Sequence, residues 1–299
     1  SEIFKYRELQ KLLSTYIDAI PEGLDANSRL HSTFILSGAA TGRMASQNPG
    51  LQNIPIRTEL GRAIRKAFIA EEGKSLLSLD YSQIELRIAA ILSEDKKLIE
   101  IFKNGEDVHT GVAMRVFGVE ADKVDKAMRT KAKTINFGVL FGMGVSALKT
   151  NLKTDRKEAQ EFYNHYFETF KGLAEYLDKT KASAERLGYT ETMYGRRRYF
   201  AGLRSPLPFI KASAERMAIN APIQGTEADI VKISMKQIDD MLKAEKLVGK
   251  VELVLQVHDE IVYEVDDALV ESVAPKLKAI MEGVMKGKET HGVPIVAEM

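Results

Sequence analysis

Apolar and polar positions fall into three regimes along this chain. From Glu2 to Ile17 apolar residues recur at helical spacing, which predicts an amphipathic helix ended by Pro21-Glu22-Gly23. Between Ser37 and Arg62 the periodicity fades into Gly, Pro, Asn, Gln and Arg. That is loop chemistry, and unusually long for a connection with no other task. Ser75–Leu79 is a short apolar run suited to a buried strand and ends at Asp80. Helical patterns then dominate: Asp95–Lys103, Asp107–Phe117, Asp122–Phe137, Lys157–Phe170 and Leu173–Leu187. A hairpin-like piece, Tyr189–Phe200, precedes two predicted helices at Phe209–Ile219 and Thr226–Lys243. Strand patterns return at Val251–Val257 and Glu260–Val265, followed by a helix and a last strand at Val293–Ala297. With strands near both ends of the chain and helices between them, the fold class expected is α+β. One antiparallel sheet domain is interrupted by a mostly helical one.

Composition excludes more than it selects. The chain has 299 residues, enough for one large domain or two joined ones. Lys plus Arg (43) almost balances Asp plus Glu (42), so net charge does not announce a nucleic-acid partner, although local patches of either sign remain open. No cysteine is present, which removes disulfides and thiolate-held zinc. The five histidines are scattered, which disfavours a His-based metal site. No apolar run approaches the roughly 20 residues of a membrane span, and no signal peptide opens the chain. A soluble, cytoplasmic protein with no membrane partner is expected.

The acidic residues change this picture. Two strand-like runs are separated only by His258-Asp259. A two-residue hairpin favours Asn-Gly or Gly because positive φ is needed there, and Asp tolerates that geometry. His-Asp is a poor choice for stability, and a local rule broken at an apolar hairpin tip marks a functional site. A plain solvated turn stays open on this stretch alone. Asp80 ends another apolar strand, and if the strands pair, Asp80, Asp259 and Glu260 meet at one edge. Two carboxylates about 4 Å apart repel by roughly 4 kcal/mol at an effective dielectric near 20. Such a cluster is held by protons or by cations. Oxygen-only donors favour Mg²⁺, with Mn²⁺ as a substitute. Two such ions would suit phosphoryl transfer.

Several motifs, taken in order, carry a family resemblance. Asp80-Tyr81-Ser82-Gln83-Ile84-Glu85-Leu86-Arg87 resembles the first catalytic motif of the DNA polymerase I family (family A). Arg129-Thr130-Lys131-Ala132-Lys133-Thr134-Ile135-Asn136-Phe137-Gly138 is similar to its nucleotide-binding fingers helix, and Gln256-Val257-His258-Asp259-Glu260 to its last catalytic motif. Thr41-Gly42-Arg43, Leu51-Gln52-Asn53-Ile54-Pro55, Gly195-Arg196-Arg197-Arg198-Tyr199 and Pro222-Ile223-Gln224-Gly225-Thr226 also stand in the family's order. The likeness runs from about residue 3 to 297.

The resemblance implies a palm-and-fingers polymerase that binds primer–template DNA and deoxynucleoside triphosphates as a monomer, with two Mg²⁺ ions. Asp80 and Asp259 would be the metal ligands, Tyr81 would lend its carbonyl, and Glu260 would be a supporting carboxylate. Arg129, Lys133 and Phe137 are spaced i, i+4, i+8, so they share one helix face with a drift of about 40° per step. A solvated basic face over a core Phe has the same spacing. The resemblance instead gives the two cations to the triphosphate and Phe137 to the deoxyribose. It also places His109, Gln83, Glu85 and Phe141 at the nucleotide. Ser82 to Glu85 reads independently as a capping box, with Ser82 the N-cap and Glu85 at N3. The resemblance adds that Glu85 blocks a ribose 2′-hydroxyl. Gly138, Gly142 and Gly144 read as a hinge or a helix end. Arg43, Gln52, Asn53, Arg196, Arg197, Asn220, Gln224 and His258 would face DNA.

The expected division is a thumb-base remnant and first part of the palm over 1–94, fingers over 95–205, and the second part of the palm over 206–299. Phe141 stands where family members usually carry Tyr. The thumb and exonuclease regions do not precede the palm, and the chain stops at Met299 short of the usual end, so a fragment is expected. A single-subunit RNA polymerase, a non-catalytic nucleic-acid-binding module and a two-metal nuclease are the competing readings. Glu85 and the Gln52-Asn53-Ile54-Pro55 loop argue against the first. The intact Asp80, Asp259, Arg129 and Lys133 argue against the second, and the triphosphate-type helix against the third.

Overall fold

The computed structural model describes residues 2–55, 58–285 and 289–299; Ile56 and Arg57, inside the expected loop, lie outside them. In chain order the elements are α1 (Glu2–Leu12), α2 (Ala19–Glu22), β1 (Thr33–Ile35), β2 (Ala45–Gln47), α3 (Glu59–Arg65) and β3 (Lys74–Tyr81). Then come α4 (Ile84–Ser93), α5 (Lys96–Lys103), α6 (Val108–Phe117), α7 (Lys126–Leu140), α8 (Val145–Leu152), α9 (Arg156–Thr169) and α10 (Lys171–Leu187). The chain ends with β4 (Tyr189–Glu191), β5 (Arg197–Tyr199), α11 (Pro208–Ala244), β6 (Val251–Val257), β7 (Glu260–Asp266), α12 (Val270–Glu282) and β8 (Ala297–Glu298). It divides into two compact units. One is Ser1–Asp80 with Gln237–Lys278 and Met299; the other is Tyr81–Lys236 with Ala279–Glu298. Within the second unit, α4 packs on α10 and α7. No helix among the described residues is long and apolar enough to cross a membrane.

The first unit is organised by its sheet, in which β7 pairs antiparallel with β6 on one side and β3 on the other. The apolar alternation of these strands puts Leu79, Ile261, Tyr263 and Val265 out of water. Glu264 is buried with them, and is compensated: Arg29 Nη1 lies 3.2 Å away, Lys74 Nζ 3.8 Å, and the Glu71 N–H donates to it. A smaller apolar cluster joins Leu12 and Tyr16 to Ile64.

The second unit is helical, and α5, α6, α7 and α9 start on aspartates. Asp95, Asp107, Asp125 and Asp155 each accept a backbone N–H in the first turn of α5, α6, α7 and α9. Each anchors an N–H with no partner inside the helix and sits at its positive end. Asp95 does this twice: Oδ1 takes the Leu98 N–H of α5 at 3.0 Å, and Oδ2 takes the Leu173 N–H of α10 at 3.2 Å. A side chain on Gly172 would meet the Asp95 Cα at 2.8 Å, so the close approach requires glycine.

Three expectations are corrected. The two helices expected over Phe209–Ile219 and Thr226–Lys243 are one helix of 37 residues, α11, running through Pro222. Proline removes one donor, but Ala218, Ala221, Ile223, Ala228, Ile230 and Val231 are buried on either side of it, and packing outweighs the local break. The strand expected over Val293–Ala297 is reduced to Ala297–Glu298. The capping box at Ser82 does not form. The N-cap of α4 is Gln83, left-handed at φ 53°, and the Ser82 N–H donates instead to the Val296 carbonyl.

Asp95→Ala should destabilise the protein by about 2–4 kcal/mol, because two helix starts lose their acceptor in a buried place. Asp95→Asn should lose less, since one oxygen remains. Equilibrium urea unfolding of the two variants measures this; a change under about 0.5 kcal/mol in Asp95→Ala would refute the double cap.

Candidate active site

The acidic end of the first unit's sheet is set by strand register. Asp80 is the partner of Glu260 across β3 and β7, and Val257 is the partner of Glu260 across the β6–β7 hairpin. Residues directly opposite in an antiparallel pair share a face, so two carboxyl groups of like charge stand side by side. Glu260 is neutralised locally: Ser78 Oγ donates to Oε1 at 2.5 Å, and Arg65 Nη2 is 3.8 Å from Oε2. Asp80 is exposed, and Asp259 lies half-buried in the loop. Burial raises the Asp259 carboxyl above the usual carboxylate range and Glu260 adds to this, while a backbone N–H and Arg43 pull it back. The left-handed residue of the turn is His258 at φ 56°. Positive φ at the first loop residue alone is the pattern of a type II′ turn, where glycine is usual. The expected strain is present, on His258 rather than Asp259.

Behind this turn, the long loop is fastened by one amide. Gln52 Nε2 donates to both the carbonyl and Oε1 of Gln256, each at 3.0 Å. Its Oε1 accepts the Ser46 N–H, and its own N–H donates to Ser46 Oγ. Gln256 is 4 % exposed, and its amide nitrogen donates onward to the His258 carbonyl. Gln52 therefore braces the hairpin that carries Asp259, and its side-chain amide is occupied inside the protein. Asn53 is exposed, with its carbonyl accepting the Tyr16 hydroxyl at 2.6 Å. Gln256 was not singled out from sequence as a separate functional residue. Its signal is a polar side chain next to the turn in an otherwise mostly apolar strand run.

In the second unit, α7 presents Arg129 and Lys133 as exposed cations and Phe137 half-buried behind them. Arg129 is engaged by Asp107 through Nε and Nη2, at 3.0 and 2.9 Å. His109 is 2 % exposed, its ring 5.6 Å from that of Phe137. Asn136 donates to its Nδ1 at 3.2 Å, which leaves the ring proton on Nε2. That nitrogen and Asn136 Oδ1 are buried without a hydrogen-bond partner. Burial depresses the imidazole to a pKa of about 4, Arg129 and Lys133 lower it further, and Asp107 opposes them. Phe141 caps the end of α7 and is 47 % exposed. The chain turns at Gly142, where φ is 66° and a side chain would meet Arg216 at 2.7 Å.

The remaining candidates divide between the carboxylate Glu85 and internal bonds. Gln224 Nε2 donates to Glu85 Oε1 at 3.3 Å, so α11 contacts this carboxylate. Gln83 is exposed at the start of α4. Asn220 is buried and donates to the Leu140 carbonyl at the end of α7. Arg196 binds Asp229 Oδ1 at 2.8 Å and the Gly225 carbonyl at 2.9 Å, and Arg197 binds Glu191 while lying over the Tyr189 ring. Asn220, Arg196 and Arg197 thus each make internal contacts, alongside their expected place facing DNA. Asp107 is the residue whose second role the sequence hid. Its signal was only a helix start.

Among the described residues, no group of three or more His, Cys, Asp or Glu side chains is placed to hold a metal ion. Asp80, exposed at the end of β3, and Asp259, half-buried in the adjoining turn, are the two carboxylates expected from sequence as metal ligands. Mg²⁺ is commonly held by one or two carboxylates, with water and substrate phosphates completing its shell.

The sequence profile of DNA polymerase family A matches residues 1–299. The thermostable DNA polymerase I of Thermus aquaticus is 48% identical over 284 residues, covering 95% of this chain and 34% of that protein. DNA polymerase I of Pseudomonas aeruginosa is 44% identical over 297 residues, 99% of this chain and 32% of that one. The chain therefore spans about a third of the length of these curated relatives. Among solved structures, the POL domain of Pol1 from M. smegmatis, in complex with DNA primer-template and dNTP, matches with a TM-score of 0.91. That match is 40% identical and covers 98% of this chain and 50% of that one.

The depressed His109 makes stability depend on pH with a definite sign. The unfolded chain protonates first, near the ordinary imidazole value of 6.5, and the folded one only near 4. Stability is complete above pH 6.5 and is lost as pH falls toward 4, by at most about 3 kcal/mol. Unfolding free energies at pH 7 and pH 4.5 for the parent and His109→Gln test this: the variant should lose the excess acid sensitivity.

Proposed function

Because the chain belongs to DNA polymerase family A, we propose that it carries the nucleotidyl-transfer centre of a template-directed DNA polymerase. The observation that carries this reading is the β3–β7 register, which sets Asp80 across from Glu260 with Asp259 next to it. In the proposed reaction the primer 3′-hydroxyl gives up its proton to solvent water, and its oxygen forms a bond to the α-phosphorus of a deoxynucleoside triphosphate. The bond from that phosphorus to the oxygen bridging to the β-phosphate breaks, and pyrophosphate leaves with the electron pair. Asp80 and Asp259, with the Tyr81 carbonyl, would hold two Mg²⁺ ions. When bound, such ions lower the pKa of an attacking hydroxyl and stabilise charge on the leaving oxygen.

The chain's own residues do the rest. Glu260, tied to Ser78 and Arg65, is a supporting carboxylate near the primer end rather than a metal ligand. Lys133 and Arg129 bind the triphosphate, and Phe137 packs on the sugar. Glu85, bonded to Gln224, takes the role of excluding a ribose 2′-hydroxyl. Primer–template DNA is the proposed macromolecular partner, met on the surface bearing Arg43, Asn53 and His258.

Asp80→Ala or Asp259→Ala should abolish primer extension with Mg²⁺ while primer–template affinity stays within a few-fold, because phosphate contacts survive. Extension near the parental rate in either variant would falsify the assignment.

Sugar selection provides a separate check. A thousandfold preference for deoxyribose corresponds to about 4 kcal/mol, so Glu85→Ala should raise relative ribonucleotide use at least tenfold. The ratio of kcat/KM for a ribonucleotide and its deoxy partner measures this, and an unchanged ratio removes Glu85 from the gate.

A further inference from the structure

We propose that Asp107 is the positioning residue for Arg129, presetting the guanidinium to receive the triphosphate; the inference rests on the reading of Arg129 as a triphosphate ligand. The carboxylate is itself immobile. Its Oδ1 accepts the Thr110 N–H and the Thr110 hydroxyl, each at 2.8 Å, as the N-cap of α6. Onto this anchor Arg129 docks by one edge, with Nε at 3.0 Å from Oδ1 and Nη2 at 2.9 Å from Oδ2.

A guanidinium gripped by its Nε–Nη2 edge has its plane and direction fixed. Nη1 and the second proton of Nη2 remain to meet an anion. An arginine without such a partner must surrender its rotamer freedom when the ligand arrives, whereas this one has already done so. Both side chains are 47 % exposed, so an anion can reach the outward edge from solvent. Burial pushes the Asp107 carboxyl up, but hydrogen bonds from Arg129 and Thr110 outweigh it and hold the group far below the usual carboxylate range. The pair is therefore charged on both sides at any working pH.

Capping alone does not require this arrangement. Asp125 and Asp155 cap their helices through the same first-turn bond, and among the described residues neither holds an arginine. One turn along the same face, Lys133 is exposed. The two cations then differ in task. Lys133 contributes net positive charge, while Arg129, its charge balanced by Asp107, contributes direction.

Asp107→Ser separates positioning from capping, because serine caps a helix about as well as aspartate but cannot reach Arg129. In primer extension with Mg²⁺, Asp107→Ser should raise the nucleotide KM about five- to tenfold with kcat within about twofold. Its thermal midpoint should stay within about 2 °C of the parent. Asp107→Asn, which keeps the cap and one acceptor oxygen, should fall between the two. In an Arg129→Ala background, Asp107→Ser should add nothing further to KM. An unchanged or lowered KM in Asp107→Ser, or a full additional increase on top of Arg129→Ala, overturns the inference. If Arg129→Ala itself leaves KM unaltered, the triphosphate reading of α7 fails first. That result is distinct from one in which Arg129→Ala raises KM and Asp107→Ser does not.

Discussion

The pairing of β3 with β7 is the constraint on which the acidic end of the sheet depends. A slip of one residue would turn Asp80 to the opposite face and expose Leu79. Two features hold the register. Alternation buries Leu79, Ile261, Tyr263 and Val265, and at the far end the buried Glu264 meets Arg29 and Lys74. A buried carboxylate is costly in any register that separates it from its cations, so this contact favours one alignment over its neighbours. With alignment fixed from the other end, carboxyl groups of like charge are tolerated side by side at Asp80 and Glu260. Serine and arginine contacts to Glu260 lessen the repulsion.

Much of the element plan was legible because its signals are local. The apolar runs of β3, β6 and β7 and the starts of α5 and α6 follow directly from alternation and from aspartate N-caps. What failed was decided by distant contacts. Pro222 looked like a break, yet burial of the alanines and branched residues around it carries α11 straight through. Ser82 looked like a cap, yet its N–H is taken by the Val296 carbonyl, from the other end of the sequence. No local pattern contains that partner.

The candidate site was legible in the same uneven way. Asp80, Asp259 and Glu260 could be grouped because each stands at the end of an apolar strand, and Arg129, Lys133 and Phe137 because helical spacing puts them on one face. The polar residues around them were read as facing outward. Gln52 and Asn220 also bond inside the protein, to Gln256 and to the Leu140 carbonyl. Amide side chains both donate and accept, so a sequence does not reveal whether their partner is a base edge or a backbone group.

Asp95 has a consequence for how the second unit breathes. The amide protons of Leu98 and Leu173 lie far apart in sequence but share one carboxylate as acceptor. Freeing either by turning the Asp95 side chain frees both, so their exchange with solvent is coupled in a way that neighbouring amides in one helix are not. A turn of the Asp95 side chain thus opens the start of α5 and the start of α10 together, joining two helix ends that lie far apart in sequence.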